Sequence, residues 1–168
     1  MSKGINEKDL IEKITQSQGI MHKISRTYCD TAEERQELVQ EMVIQLWKSY
    51  DTFQSKSRFS TWMYRVCLNV ALQKVRKERH IKSKAVDFVP EVIDRQEEDP
   101  YEDEAKWLRN AIGQLNKIEK AIILLYLEEK EYEEIAEIMG ITQNYVRVKM
   151  NRIKKKLKKI LNRETNGR

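Results

Sequence analysis

The sequence predicts an all-α protein of two small helical domains joined by an acidic linker. Three observations predict it. Charged residues make up 35% of the 168-residue chain, against only 5 Gly and 2 Pro, a balance that favours long solvated helices. Apolar residues recur at the helical spacing of three and four in most stretches, behind recognisable capping residues. Both prolines, Pro90 and Pro100, fall with the run "EEDPYEDE" between two such blocks. The expected divisions are residues 1–80, 81–106 and 107–168.

In the first block, Asn6 is placed to cap a helix carrying Leu10, Ile14, Ser17 and Met21, with Gly19 as its expected break. Thr31 with Glu34 is a capping-box pattern. It opens a helix to about Tyr50 whose packing side carries Leu38, Val39, Met42, Val43, Leu46 and Trp47. "FQSKSRF" reads as a polar loop between aromatic anchors. Ser60 or Thr61 is the expected cap of a third helix ending near Arg79. In the second block, Asp99 and Pro100 suit an N-cap and first helical residue, for a helix to about Leu115. Asn116 with Glu119 repeats the capping box ahead of "IEKAIILLYL". Tyr132 to Met139 is a short amphipathic helix, Gly140 suits a left-handed stop, and Thr142 caps the last helix.

Composition also excludes. No apolar run approaches the roughly 18 to 20 residues of a membrane span, and "MSKGINEKDL" lacks the apolar core of a signal peptide, so a cytoplasmic location is expected. Cys29 and Cys67 have no CxxC partner and are expected as buried, reduced thiols. His22 and His80 stand alone, so no metal site is expected. No nucleophile–base pair or phosphate loop appears; no catalytic residue and no cofactor are expected. The net charge is +5, an excess small enough that its placement matters more than its sum.

That charge is concentrated at the end. From Thr142 to Arg163 every charge is positive: Arg147, Lys149, Arg152, Lys154, Lys155, Lys156, Lys158, Lys159 and Arg163. Projected at about 100° per residue, Val146, Met150, Ile153, Leu157 and Ile160 share the packing side. Asn144, Val148, Asn151, Arg152 and Lys155 lie opposite, flanked by Tyr145 and Arg147. "EIAEIMGITQNYVRVKMNRIKKKL" is thus two helices joined by a tight turn, the second bearing amides and arginines at its N-terminal end. A helix entering the major groove puts those residues on base edges. Asn and Arg make two-pronged bonds to adenine and guanine, a valine suits a thymine methyl, and lysines further along suit phosphates.

Two surfaces of the first block are unusual. On the helix from Thr31 to Tyr50, Ile44 interrupts a polar side made of Glu37, Gln40, Glu41 and Lys48. The helix from Ser60 to Arg79 is apolar around most of its circumference, through Met63, Tyr64, Val66, Cys67, Leu68, Val70, Ala71, Leu72 and Val75. Arg65, Asn69, Gln73 and Arg76 form its single polar stripe, with Trp62 at the start. A stacking ring, amides and arginines held on a rigid element suit single-stranded nucleic acid. The competing reading places Trp62 in the core.

"ELVQEMVIQLWKSYDTF", a short polar loop and "FSTWMYRVCLNVALQKVRKER" resemble region 2 of the sigma-70 family of bacterial transcription initiation factors. "LNKIEKAIILLYLEEKEYEEIAEIMGITQNYVRVKMNRIKKKL" resembles region 4. Their order and the short linker match the small extracytoplasmic-function group. The resemblance implies a bacterial factor that binds core RNA polymerase and promoter DNA. Region 2 would recognise and melt the −10 element, and region 4 would read the −35 element. It implies polymerase binding through Gln40, Glu41, Ile44 and Lys48. It places Asn69 at the base of a pocket for a flipped −10 base, with Gln54, Ser55, Lys56, Ser57 and Arg58 as its wall and Trp62, Arg65, Gln73 and Arg76 beside it. Asn144, Tyr145, Arg147, Val148, Asn151, Arg152 and Lys155 become the −35 set. Asn144 and Tyr145 stand where many relatives have Gly-Thr, so the bases read do not transfer. Most relatives answer to an anti-sigma factor, often membrane-bound. The acidic residues Glu97, Glu98, Asp99, Glu102, Asp103 and Glu104 would either mimic RNA in the polymerase channel, shield the basic modules, or serve as a solvated spacer. The alternative function is a self-sufficient helix-turn-helix regulator; no heptad seam long enough to dictate the dimer this needs is present, and no obligate homo-oligomer is expected.

Overall fold

The computed structural model describes residues 6–82 and 102–167. The caps expected from Asp99 and Pro100, and most of the acidic linker, lie outside those residues. The chain divides into two compact units, Met1–Val86 and Asp87–Arg168. Every described element is helical or a turn.

The first unit contains α1 (Glu7–Gln16), α2 (Gln18–Tyr28), α3 (Ala32–Ser49), a 3₁₀ turn (Tyr50–Thr52) and α4 (Phe59–Lys82). Asn6 caps α1 by accepting the Asp9 amide. The first helical stretch breaks at Ser17, not at Gly19. Ser17 leaves the helical region at φ −112°, ψ 14°, and its N–H is shared between the Lys13 and Ile14 carbonyls. Gly19 lies inside the first turn of α2, where a side chain would meet nothing within 4 Å. The Thr31–Glu34 capping box forms in full: the Thr31 hydroxyl accepts the Glu34 amide and the Glu34 carboxylate accepts the Thr31 amide. Neither Ser60 nor Thr61 caps α4. The helix starts at Phe59, and the Trp62 amide already donates to the Arg58 carbonyl at 3.2 Å.

Helices α2, α3 and α4 pack mutually around Ile24, Leu38, Met42, Leu46, Met63, Cys67, Leu68 and Ala71. Lys74 reaches Glu37 across the α3–α4 contact at 3.6 Å. Val43 and Trp47 do not join the packing side of α3. They lie at its edge and stay 37% and 38% exposed. On α4, Val66, Val70, Leu72 and Val75 are only half-buried, so the covered arc is narrower than the apolar pattern predicts. Cys29 and Cys67 are buried free thiols, and burial pushes them up to about 11 and about 12 respectively, which keeps them protonated and unreactive.

The second unit contains α5 (Glu102–Gly113), α6 (Lys117–Leu127), α7 (Tyr132–Met139) and α8 (Gln143–Asn166). Asn116 and Glu119 form the predicted capping box on α6. The core gathers Ala111, Leu115, Ile122, Leu125, Ile135 and Ile138 against Val146, Met150 and Ile153 of α8. α8 meets each of the other three helices, so its packing side is fixed along more than two turns. No described helix is long and apolar enough to cross a membrane. Among the described residues no group of three or more His, Cys, Asp and Glu could hold a metal ion.

Candidate nucleic-acid interface

The α7–α8 turn is built by two caps. Gly140 adopts φ +67°, ψ 36°, a left-handed conformation that costs glycine nothing. The Gly140 N–H then donates to the Glu137 carbonyl and the Ile141 N–H to the Ala136 carbonyl, closing the end of α7 in a Schellman motif. Two residues on, the Thr142 hydroxyl accepts the Tyr145 amide at 3.1 Å and starts α8. The chain therefore enters α8 in one fixed direction.

That direction leaves the predicted reading face open. Asn144, Tyr145, Arg147, Val148, Asn151, Arg152 and Lys155 are all exposed, while Val146, Met150, Ile153 and Leu157 are buried behind them. Tyr145 and Val148 are large apolar exceptions on this basic helix, at 44% and 41% exposure. Lys149 lies over the Tyr145 ring, 5.6 Å from its centroid, and steadies it on the flank of the face.

The positive run is not uniform. Lys156 turns inward to Glu119, with Nζ 2.6 Å from Oε1. Glu119 is buried, and its other oxygen accepts the Asn116 amide. Burial pushes its carboxyl up, but the bonds from Lys156 and Asn116 outweigh that and hold it below the usual value. Lys154 lies 4.8 Å from the centroid of the Tyr126 ring. Lys155, Lys158, Lys159 and Arg163 remain on the solvent side and line a shallow groove with Asn162. Among the described residues, the unpaired positive face of α8 is therefore made by these residues together with Arg147 and Arg152, while Lys156 is engaged by Glu119.

In the first unit, Arg65, Asn69, Gln73 and Arg76 are exposed along α4 as one stripe. Gln54, Ser55, Lys56 and Arg58 are exposed in the loop before it, and Ser57 is half-buried. Ser55 sits at φ +54°, which turns the loop sharply at a non-glycine residue. Both ends of this loop are pinned. Phe53 and Phe59 meet edge to face at 5.8 Å, and Trp62 packs on both, at 5.2 and 5.4 Å. Trp62 is thus half-buried: part of its ring belongs to this cluster and the rest stays open beside the loop. The aromatic anchors bring the loop and the first turn of α4 together.

A third surface lies on the side of α3 that α2 and α4 leave uncovered. Gln40, Glu41, Ile44 and Lys48 are exposed there, Ile44 at 53%. Val43 and Trp47 extend it, since Gln40, Val43, Ile44 and Trp47 follow the three-and-four spacing of one helix face. The apolar pattern of the sequence places those two on the packing side of α3. The contrary signal was their position at the margin of the apolar arc, Val43 next to Ile44 and Trp47 one turn beyond it.

Known proteins show the same two modules. Residues 14–81 match Sigma-70 region 2, and residues 105–157 match Sigma-70, region 4. The chain is 26% identical over 156 residues to RNA polymerase sigma factor SigV of Bacillus subtilis, covering 92% of each. It is 26% identical over 159 residues to the ECF RNA polymerase sigma factor SigE of Mycolicibacterium smegmatis, covering 89% of this chain and 60% of the relative. Among solved structures, its fold is similar to the sigma factor RpoE in complex with the anti-sigma factor NepR from Bartonella quintana, with a TM-score of 0.71, 17% identity and coverage of 92% and 98%. It is also similar to CnrH in complex with the cytosolic domain of CnrY, with a TM-score of 0.69, 16% identity and coverage of 94% and 90%.

Proposed function

The chain belongs to the sigma-70 family, in its ECF group, and from that premise we propose how its three exposed surfaces divide the work of directing RNA polymerase to promoters. The α3 surface, Gln40, Glu41, Val43, Ile44, Trp47 and Lys48, docks on core polymerase. The loop of residues 54–58 and the stripe Arg65, Asn69, Gln73 and Arg76 hold the single strand of the melted −10 element, with Asn69 at the base of a pocket for a flipped base and Trp62 beside it. Flipping costs a few kcal/mol per base, so it requires such a preformed pocket. The N-terminal two turns of α8 read the −35 element through Asn144, Tyr145, Arg147, Val148, Asn151 and Arg152, with Lys155 on phosphate.

One observation carries this reading: the same chain exposes the basic second helix of a helix-turn-helix and, on a separate unit, an amide-and-arginine stripe beside a pinned loop. A self-sufficient regulator has use for the first and none for the second. The division of the chain follows the same lines, residues 1–80 and 107–168 acting as the two DNA-binding modules and residues 81–106 as the acidic connection. An anti-sigma partner that masks the α3 surface is part of the proposal. Support comes from the fold, which is similar to that of the sigma factor RpoE solved with the anti-sigma factor NepR and to that of CnrH solved with the cytosolic domain of CnrY. A bacterial cytoplasmic location follows from the polymerase partner.

The test is transcription by core polymerase on a pool of random upstream sequences, with and without the protein. Specific starts that require the protein, from templates sharing two spaced elements, establish the reading and supply the bases. Background transcription together with tight duplex binding by the protein alone overturns it in favour of the independent regulator.

A further inference from the structure

α1 contributes no residue to any of the three surfaces, yet it grips the base of one. The Tyr50 hydroxyl, in the 3₁₀ turn after α3, donates to Asp9 Oδ2 at 2.5 Å. Asp9 pairs with Lys13 one turn on, at 2.9 Å, and Lys13 Nζ lies 3.4 Å from the same hydroxyl. The Lys13 ammonium also sits 5.8 to 6.0 Å from the ring centroids of Tyr50, Phe53 and Phe59. Tyr50 in turn stacks on Phe53 at 6.2 Å and meets Trp62 edge-on at 6.1 Å. These four rings are the anchors on either side of residues 54–58. The loop itself is largely exposed, so its placement depends on its ends.

We propose that Asp9, Lys13 and Tyr50 form a clasp from α1 that positions the loop of residues 54–58 to capture the flipped −10 base. This rests on the reading of that loop as the wall of a base pocket. A pocket that must discriminate bases needs its wall held to within a fraction of an ångström, by groups that are themselves locked. The ring contacts hold Tyr50 by its face and edge; the hydrogen bond to Asp9 fixes its hydroxyl end, and Lys13 lies over the cluster from the same helix. The hydrogen bond from Tyr50 and the Lys13 ammonium also hold the Asp9 carboxyl below its usual value, so it stays an acceptor throughout the neutral range. Asp9 and Lys13 are about 40% and 36% exposed, so the clasp adds little to global stability and its effect falls on local geometry. Asp9, Lys13 and Tyr50 are positioning residues: none is assigned to the DNA.

The test uses holoenzyme assembled from core polymerase and the full chain. The probe is a labelled single-stranded oligonucleotide carrying the −10 sequence enriched from the promoter pool, in four versions differing at the flipped base. Tyr50→Phe keeps the ring and removes the hydroxyl. It is expected to weaken binding of the preferred oligonucleotide by roughly three- to tenfold, the net worth of one hydrogen bond at a part-exposed site, and to flatten the preference among the four bases. Asp9→Leu should do the same, the double variant should be no worse than either, and Asp9→Asn, which still accepts from Tyr50, should retain most of the preference. Thermal stability and duplex −35 binding should stay at the wild-type level. Wild-type preference in Tyr50→Phe, additive losses in the double variant, or Asp9→Asn as defective as Asp9→Leu each overturns the clasp. If the wild-type holoenzyme itself shows no preference among the four bases, the pocket reading fails and takes the clasp with it.

Discussion

Replacing Lys156 by Met should destabilise the second unit while leaving the first untouched. Glu119 is 3% exposed, and both of its oxygens are engaged, one by the Asn116 amide at 3.2 Å and one by Lys156 at 2.6 Å. Lys156→Met keeps the aliphatic stem and removes the ion-pair partner of a buried carboxylate. Breaking a fully buried pair costs about 3–5 kcal/mol, but the Lys156 side chain is 53% exposed, and water can replace part of what is lost. The expected loss is about 1–2 kcal/mol, that of one charge-assisted hydrogen bond discounted for solvent. Glu119→Gln keeps the capping geometry and loses the charge, for about 1 kcal/mol; Glu119→Ala loses cap and pair together, for about 2–3 kcal/mol.

Because the Glu119 pKa is depressed in the folded chain, its contribution is complete above the ordinary carboxylate value of 4.5 and is lost as pH falls below that, through the folded value. The difference between wild type and Lys156→Met should therefore be constant near neutrality and shrink in acid. Hydrogen exchange read peptide by peptide separates α6 and α8 from α2 to α4, so the two units report independently. Unchanged protection of α6 in Lys156→Met, or a difference that grows as pH falls, would refute the reasoning.

Three further outcomes follow from the structure. Lys155→Ala should lower the slope of log affinity against log salt for −35 duplex by about 1, whereas Lys156→Met should leave that slope unchanged, because Lys156 faces Glu119; titration at several salt concentrations decides it. Glu129 adopts φ +58° at the end of α6, where its N–H and that of Lys130 close the same Schellman pattern as at Gly140. Glu129→Gly should therefore stabilise, and Gly140→Ala destabilise, each by about 1 kcal/mol in chemical denaturation. Ile44→Asp or Trp47→Glu should weaken core polymerase binding roughly tenfold or more with duplex −35 binding unaffected; equal polymerase affinity would move the docking surface elsewhere.

What could be read in the sequence was local or periodic. The boxes at Thr31–Glu34 and Asn116–Glu119, the stop at Gly140 and the cap at Thr142 each need only residues within one turn, and all four form. The buried and open faces of α8 were legible because one regular helix projects them. The rest depended on partners distant in sequence. Nothing near Lys156 announces Glu119, 37 residues earlier, and nothing near Tyr50 announces Asp9, 41 residues earlier. Val43 and Trp47 look like core until α2 and α4 are seen to cover only the Leu38, Met42 and Leu46 side. The end of α6 was hidden for another reason: a left-handed residue is signalled by Gly or Asn, and here it is Glu129.

The ends of α8 are consequently held in different ways, and this bears on where specificity resides. Its N-terminal turns start from the Gly140–Thr142 caps and are pressed onto the core through Val146, Met150 and Ile153, with the Lys156–Glu119 pair fixing the next turn. Beyond Leu157 no described side chain is fully buried, and the exposed charges are Lys158, Lys159 and Arg163, with Glu164 as the one acid among the described residues. A lysine is a point charge on a flexible stem and tolerates small changes of phosphate position, whereas amides and arginines on base edges require fixed geometry. On the proposed reading, the rigid end carries the groups that need rigidity, and the looser end carries those that do not. Base preference should therefore respond to changes around the Gly140 turn and the Glu119 pair even though neither touches DNA, and salt dependence should not.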